Sequence, residues 1–292
     1  MKANTASYTA QIMALYRAME TRRPEAHRLF SDPYAHRFLN GKLRLAAWLC
    51  GTKAGEAWLY RYLQKRIPGP LASGLARTRY IDDLVNAQVK GGVQQVVLLG
   101  AGFDTRGLRL PSLRDIPVIE IDHPNTAAQK RSLLKTVPPN IRYLSIDFNR
   151  ENLEEVFPAQ DIRTLFIWEG VTNYLNKDAV NQVMTYISGY PVGSAIIFTY
   201  IDQEVLDNPG AYYGATPLIA DLSRIEERWT FGLAPGAVAG YLRGKGLTLK
   251  ENLGAKEYRE RYVGERKGIL RGYEFYHVAL AEKLLPDRKS VV

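Results

Sequence analysis

Val96-Val97-Leu98-Leu99 runs directly into Gly100-Ala101-Gly102-Phe103-Asp104-Thr105-Arg106, and a second apolar stretch, Val118-Ile119-Glu120-Ile121-Asp122, ends in acid. A glycine turn after one strand and a carboxylate after the next, about twenty residues on, is the layout that holds a nucleoside. Gly100 and Gly102 let the backbone approach a ligand closely, and the acid accepts hydrogen bonds from ribose hydroxyls. Two further strand ends carry acids: Ser145-Ile146-Asp147-Phe148 and Phe166-Ile167-Trp168-Glu169-Gly170-Val171. Asp147 is placed to accept an adenine amino group with Phe148 against the ring, and Glu169 to meet an ammonium. A single strand-end acid is often only a helix cap; three at neighbouring strands make that reading weak for all of them.

The turn also constrains the cofactor. A dinucleotide site favours Gly-x-Gly-x-x-Gly, with a pyrophosphate against the helix amino end. The third glycine position is Thr105, and Gly107 comes two residues late. No Gly-Lys-Ser/Thr follows, which excludes a P-loop. A nucleoside cofactor without phosphates, S-adenosylmethionine, is favoured over a nicotinamide dinucleotide, which remains the alternative from another enzyme class.

These residues need a scaffold, and the hydrophobic pattern supplies one. The first ninety residues read as helices, over 9–19, 43–50, 54–63 and 73–89, with Ser31-Asp32-Pro33 and Ile67-Pro68-Gly69-Pro70 as breaks. Strands follow at 95–99, 117–121, 142–146, 163–168 and 194–201, with helices near 123–136, 151–157 and 177–188 between them. This alternation implies a parallel sheet covered on both faces, with ligands beyond the carboxyl ends of its strands. Residues 203–232 show no clear period and read as an irregular lid carrying Tyr212, Tyr213, Trp229 and Phe231, which are expected to line an acceptor pocket. A helix at 235–244 and strands at 247–251 and 273–282 complete the pattern. The chain divides into a helical cap, 1–90, and a core, 91–292, that includes the lid.

Composition is ordinary for a soluble globular protein, with 46% hydrophobic and 24% charged residues among 292. The lone Cys50 excludes an internal disulfide and fits the reducing cytoplasm. No secretory start, membrane span or metal-ligand spacing is visible, so neither a membrane nor a metal is expected. The net charge is +9, with twelve basic and seven acidic residues in 240–292. That balance suits an anionic or carrier-bound small-molecule acceptor. No basic run is interleaved with aromatics, so nucleic acid is not expected.

Ala76-Arg77-Thr78-Arg79, Gly-Ala-Gly-Phe-Asp-Thr-Arg at 100–106, Glu120-Ile121-Asp122, Asp147-Phe148, and Glu169-Gly170 followed by Tyr174-Leu175 resemble the leucine carboxyl methyltransferase family. Arg17-Ala18-Met19-Glu20, Arg23-Pro24, Phe30-Ser31-Asp32-Pro33 and Phe231-Gly232-Leu233-Ala234-Pro235 are similar to its bacterial branch of S-adenosylmethionine-dependent O-methyltransferases. The likeness runs from about residue 9 to 282 and implies a class I methyltransferase, Rossmann-like α/β sheet. It would have seven mostly parallel strands, the last antiparallel, under an amino-terminal helical cap. By the same resemblance Arg77 would hold the methionine carboxylate, Gly100 and Gly102 line the turn, Asp122 bind ribose with Glu120 as second candidate, Asp147 and Phe148 flank adenine, and Glu169 bound the methionine end. Asp104 and Arg106 would brace the turn. Arg77 and Tyr174 are the residues expected near the transferring methyl group. A carboxylate acceptor needs no strong base, whereas a hydroxyl would draw in His123 or His27. Trp168-Glu169-Gly170 stands where nucleobase amine methylases carry Asn/Asp-Pro-Pro-Tyr/Phe, which argues against base methylation. Methylation of a protein terminal carboxylate is the narrower alternative.

Overall fold

The computed structural model describes residues 8–66, 69–148, 150–224, 227–263 and 271–285. Four helices lead: α1 (Tyr8–Arg22), α2 (Gly41–Leu49), α3 (Lys53–Arg66) and α4 (Pro70–Lys90). Strands and helices then alternate as β1 (Gln95–Leu99), α5 (Arg106–Arg109), β2 (Val118–Asp122), α6 (Pro124–Leu133), β3 (Ile141–Ser145), α7 (Leu153–Val156), β4 (Thr164–Trp168), α8 (Lys177–Ser188) and β5 (Ala195–Ile201). The chain continues through α9 (Glu204–Asp207), α10 (Ala215–Arg224), α11 (Val238–Arg243), β6 (Thr248–Gly254), α12 (Ala255–Tyr262) and β7 (Tyr276–Glu282).

The strands form one seven-stranded sheet in the order β3-β2-β1-β4-β5-β7-β6. Neighbours from β3 to β5 pair in parallel, and β7 runs antiparallel between β5 and β6. The order reverses between β1 and β4, and a crevice opens at such a switch point beyond the carboxyl ends of the strands. Register brings those ends side by side, with Leu99 opposite Ile121 and Asp122 opposite Ser145.

Strand periodicity divides the core. Val96, Leu98, Leu165, Ile167 and Ile197 face one apolar cluster, and Val97, Leu99, Phe166, Trp168 and Ile196 face the other. The first cluster contains the inner faces of α1 to α4: α4 lies on β5 and β7, α1 packs on α4, α2 on α1 and α3 on α2. α8 covers the opposite face through Val180, Val183, Met184 and Ile187, the i, i+3, i+4, i+7 stripe of an amphipathic helix.

Three expectations from periodicity change. Residues 203–232 are not irregular throughout: α10 occupies 215–224, with Ala215 and Leu222 buried and Leu218 packed on the first cluster, while 227–232 has no regular structure. Pro217 hides this helix in sequence but sits in its first turn, where no intrahelical N–H is lost. α12 was not anticipated; Glu257 caps its start by accepting the Gly254 N–H at 2.6 Å. The helix expected at 235–244 begins as a single 3-10 turn, Pro235–Ala237, before α11.

Candidate active site

A cavity of about 740 Å³ lies at the switch point, within the size range of small-ligand sites. Arg77, Gly100, Gly102, Asp122, Asp147, Phe148, Glu169 and Tyr174 all line it. The acids at the ends of β2, β3 and β4 therefore converge on one space. Met13 of α1, Leu218 and Leu222 of α10, and Trp229, Tyr273 and Tyr276 complete the wall.

The turn after β1 is built for close approach. Gly100 has φ +63°, and a side chain there would run into Val171. Its N–H is bonded to Ile121 O at 2.7 Å, tying the end of β1 to β2. Asp122 accepts the Gly102 N–H through one carboxylate oxygen and the His123 N–H, at 2.6 Å, through the other. A carboxylate has about four acceptor sites, so the two remaining suit a pair of vicinal hydroxyls. Gly170 has φ +71° and nothing within 4 Å of a would-be side chain, which leaves open room at the end of β4. Gly107 packs α5 on the sheet, since a Cβ there would lie 3.1 Å from Val118.

Along one wall of the cavity runs a chain of buried ion pairs. Arg77 Nε meets Glu169 Oε1 at 2.7 Å, and Arg106 Nη1 meets Glu169 Oε2 at 2.7 Å. Arg106 also holds Asp82 at 2.8 Å through Nε, and pairs with Asp104. Arg109 holds the other side of Asp82 at 2.6 Å. Arg17 donates to Asp32 at 2.8 Å and to Phe103 O at 2.5 Å, while the Thr105 hydroxyl donates to Asp32 at 2.7 Å. The network joins α1, α4, the glycine turn and the end of β4. Sequence reasoning gives Arg17, Asp82 and Arg109 no site role; Arg17 stands only in a motif of the resemblance, and Asp82, a charge on the buried face of α4, is the one further clue. Asp104 and Arg106 brace the turn as expected from the resemblance, and both also reach the cavity wall.

Burial alone pushes these carboxyls up, but the guanidinium groups outweigh it. Arg106 and Lys130 hold Asp104 at about 2, Arg17 and Arg109 lower Asp32, and Arg106 and Arg77 lower Glu169. Depressed folded-state values mean a contribution to stability that is complete above the ordinary carboxylate range and lost as pH falls through the folded values. Thermal midpoints should therefore drop steeply below about pH 4. An Asp104→Asn variant should show a shallower drop in that window, and equal slopes would remove Asp104 from the linkage.

Several expectations need correction. Glu120 does not reach the cavity: it is buried beneath it, bonded to Lys130 Nζ, with burial pushing its carboxyl up to about 7. It lies two residues before Asp122 on the same face of β2, but Glu120 pairs towards α6 rather than towards ligand. Of the four aromatics of 203–232 expected to line an acceptor pocket, only Trp229 lines this cavity. Tyr212 donates to Asp202 and Glu204, Tyr213 lies under Arg271, and Phe231 is buried in the second cluster. Tyr273, three residues before β7, and Tyr276, its first residue, supply the aromatic wall instead. His123 lines the cavity at the end of β2, two strands from β4, whereas His27 is exposed on an outer turn.

A Rossmann-like sheet with an antiparallel seventh strand, a glycine turn after β1 and an acid at the end of β2 is the class I methyltransferase architecture. The chain belongs to the leucine carboxyl methyltransferase family, whose model matches residues 10–188, more than half of it. Among its relatives is the Bacillus subtilis protein named "Putative S-adenosyl-L-methionine-dependent methyltransferase YktD", 27% identical over 220 residues, which span 72% of each chain. A Frankia alni protein with the same descriptive name is 30% identical over 227 residues, covering 74% of this chain and 75% of its own. The fold is shared by a DUF574 family protein from Streptomyces avermitilis, with TM-score 0.60 at 14% identity over 95% of this chain and 98% of the other. It is also shared by a crystallised "putative methyltransferase" from Thermobifida fusca, with TM-score 0.56 at 17% identity over 94% and 95%. The protein is an S-adenosylmethionine-dependent methyltransferase.

Proposed function

We propose that this enzyme is an O-methyltransferase that methylates a carboxylate or hydroxyl of a small-molecule acceptor. The observation that carries this reading is the cavity itself. It continues past the strand ends into a walled region of Met13, Leu218, Leu222, Trp229 and Tyr276, next to Arg77 and Tyr174.

In this reading Asp122 accepts the ribose hydroxyls, Ile146, Asp147 and Phe148 bound the adenine, and Arg77 with Glu169 offers opposite charges to the amino-acid end. S-adenosylmethionine, when bound, supplies an electrophilic methyl group on its sulfonium. The remaining work is alignment of the acceptor and exclusion of water. Burial pushes the Tyr174 hydroxyl above its ordinary range, so at neutral pH it donates a hydrogen bond and is no base. A carboxylate acceptor is already anionic, and Arg77 and Tyr174 can both orient it. The one histidine of the cavity wall among the described residues, His123, follows β2, two strands from β4, whereas Tyr174 follows β4, and this favours a carboxylate over a hydroxyl.

Arg77→Ala is expected to weaken S-adenosylhomocysteine binding by about 1.5–3 kcal/mol, the worth of a charge-assisted hydrogen bond. Calorimetry on the folded variant measures this, and wild-type affinity would take Arg77 out of the site.

The family's description supports a second reading, in which the acceptor is the terminal carboxylate of a protein. Methyl-labelled cofactor incubated with the enzyme and a host extract separates the two. Label in small molecules, released as methanol by alkali, supports a small carboxylate acceptor; alkali-stable label supports a hydroxyl. Alkali-labile label confined to protein would replace the first reading with the second.

A further inference from the structure

α2 and α3 pack side by side and turn an unusual face to solvent. Leu45 (59% exposed), Trp48 (59%), Trp58 (55%) and Tyr62 (47%) stand on it, half of the exposed large apolar side chains among the described residues. Lys42, Leu45 and Trp48 follow one another along α2 at i, i+3, i+6, and Trp58 stacks on Tyr62 along α3 with ring centroids 5.6 Å apart. The inner faces of the same helices, through Ala47, Leu59 and Leu63, are buried. Core packing thus accounts for the inner stripes and leaves the outer ones unexplained.

The charge around this face has one sign. Lys42, Arg44, Lys53, Arg61 and Lys65 are all exposed. Glu56 is the one acid between residues 41 and 65, and it is engaged by Arg23. Tryptophan and tyrosine, with an apolar body and a polar edge, settle at the headgroup level of a bilayer, and lysine and arginine add attraction to anionic lipid that dies within a Debye length. A second copy of the chain would set these five cations against their own counterparts. We propose that the α2–α3 face docks on the surface of an anionic lipid bilayer.

The attachment is to the surface, since no described helix is long and apolar enough to cross a membrane. α3 is tied to the segment that leads into the cavity wall. Gln64 of α3 donates to Arg271 O at 3.0 Å, and Gly69, just before α4, bridges Gly272, next to Tyr273 of the cavity wall. Docking there would hold the cavity close to the lipid surface.

The test uses the full chain and vesicles of phosphatidylcholine, alone or mixed with phosphatidylglycerol. The protein should sediment with the mixed vesicles at low salt and be released as salt rises, with a blue shift in tryptophan emission on binding. Trp48→Ser/Trp58→Ser and Lys42→Glu/Lys65→Glu should each lower partitioning by about tenfold or more while leaving S-adenosylhomocysteine affinity unchanged, which shows the variants folded. Absence of vesicle binding at low salt, or equal binding to neutral vesicles, would overturn the proposal. So would a dimer in sedimentation that Trp48→Ser/Trp58→Ser dissociates, which would give the face to a second copy.

Discussion

Asp122→Ala should lower S-adenosylhomocysteine affinity at least about a hundredfold while the chain remains folded. Each hydrogen bond to a charged acceptor contributes about 1.5–3 kcal/mol, and about 1.4 kcal/mol is a factor of ten. Two ribose hydroxyls meeting one carboxylate give the stated effect. The substitution also removes the acceptor of the Gly102 and His123 N–H groups, which loosens the glycine turn against which the ligand rests. Asp122→Asn retains one acceptor oxygen and the shape of the side chain, so its loss should be smaller. Titration calorimetry measures both, with circular dichroism to verify the fold. An Asp122→Ala protein that binds as tightly as wild type would end the ribose assignment.

Replacing Arg106 with methionine is the change expected to cost most stability. Arg106 is 2% exposed and pairs with Asp82, Asp104 and Glu169. Removing one member of a buried ion pair costs about 3–5 kcal/mol, because the partner's charge stays desolvated without compensation. Arg109 still holds Asp82 and Arg77 still holds Glu169, so the loss concentrates on Asp104. That places the expected value near the lower end, about 3 kcal/mol. Denaturant unfolding should show the midpoint shift. A change below about 1 kcal/mol would mean that the network is solvated and contributes little. Arg106→Met should also move Glu169, so cofactor affinity should fall with stability. In Asp122→Ala the two quantities should separate, and that contrast tells a network residue from a ligand contact.

The scaffold was readable because its signals are local. A run such as Val96 to Leu99, buried on both sides, is apolar throughout, and β1, β2, β4 and β5 lie within a residue or two of their expected ranges. α10 was missed because Pro217 is taken as a break, although Ala215, Leu218, Ile219 and Leu222 keep helical spacing around it. α12 was missed because it is mostly polar: only Ala255 and Tyr258 are buried, leaving little apolar period to detect.

The sequence by itself determined the alternating α/β order, the glycine turn, and the acids that close β2, β3 and β4. Each of those depends on residues adjacent along the chain, where steric limits and hydrophobic spacing act directly. Only the tertiary structure decided which acids share a cavity. Glu120 and Asp122 are two residues apart on one strand, yet Lys130 from α6 claims the first and leaves the second to the cavity. It alone revealed that Arg17, Asp82 and Arg109 belong to the frame around Glu169, and that Tyr273 and Tyr276 rather than Tyr212 and Tyr213 form the aromatic wall. Such pairings join groups far apart in sequence, and a buried charge takes whichever opposite charge the packing brings within reach.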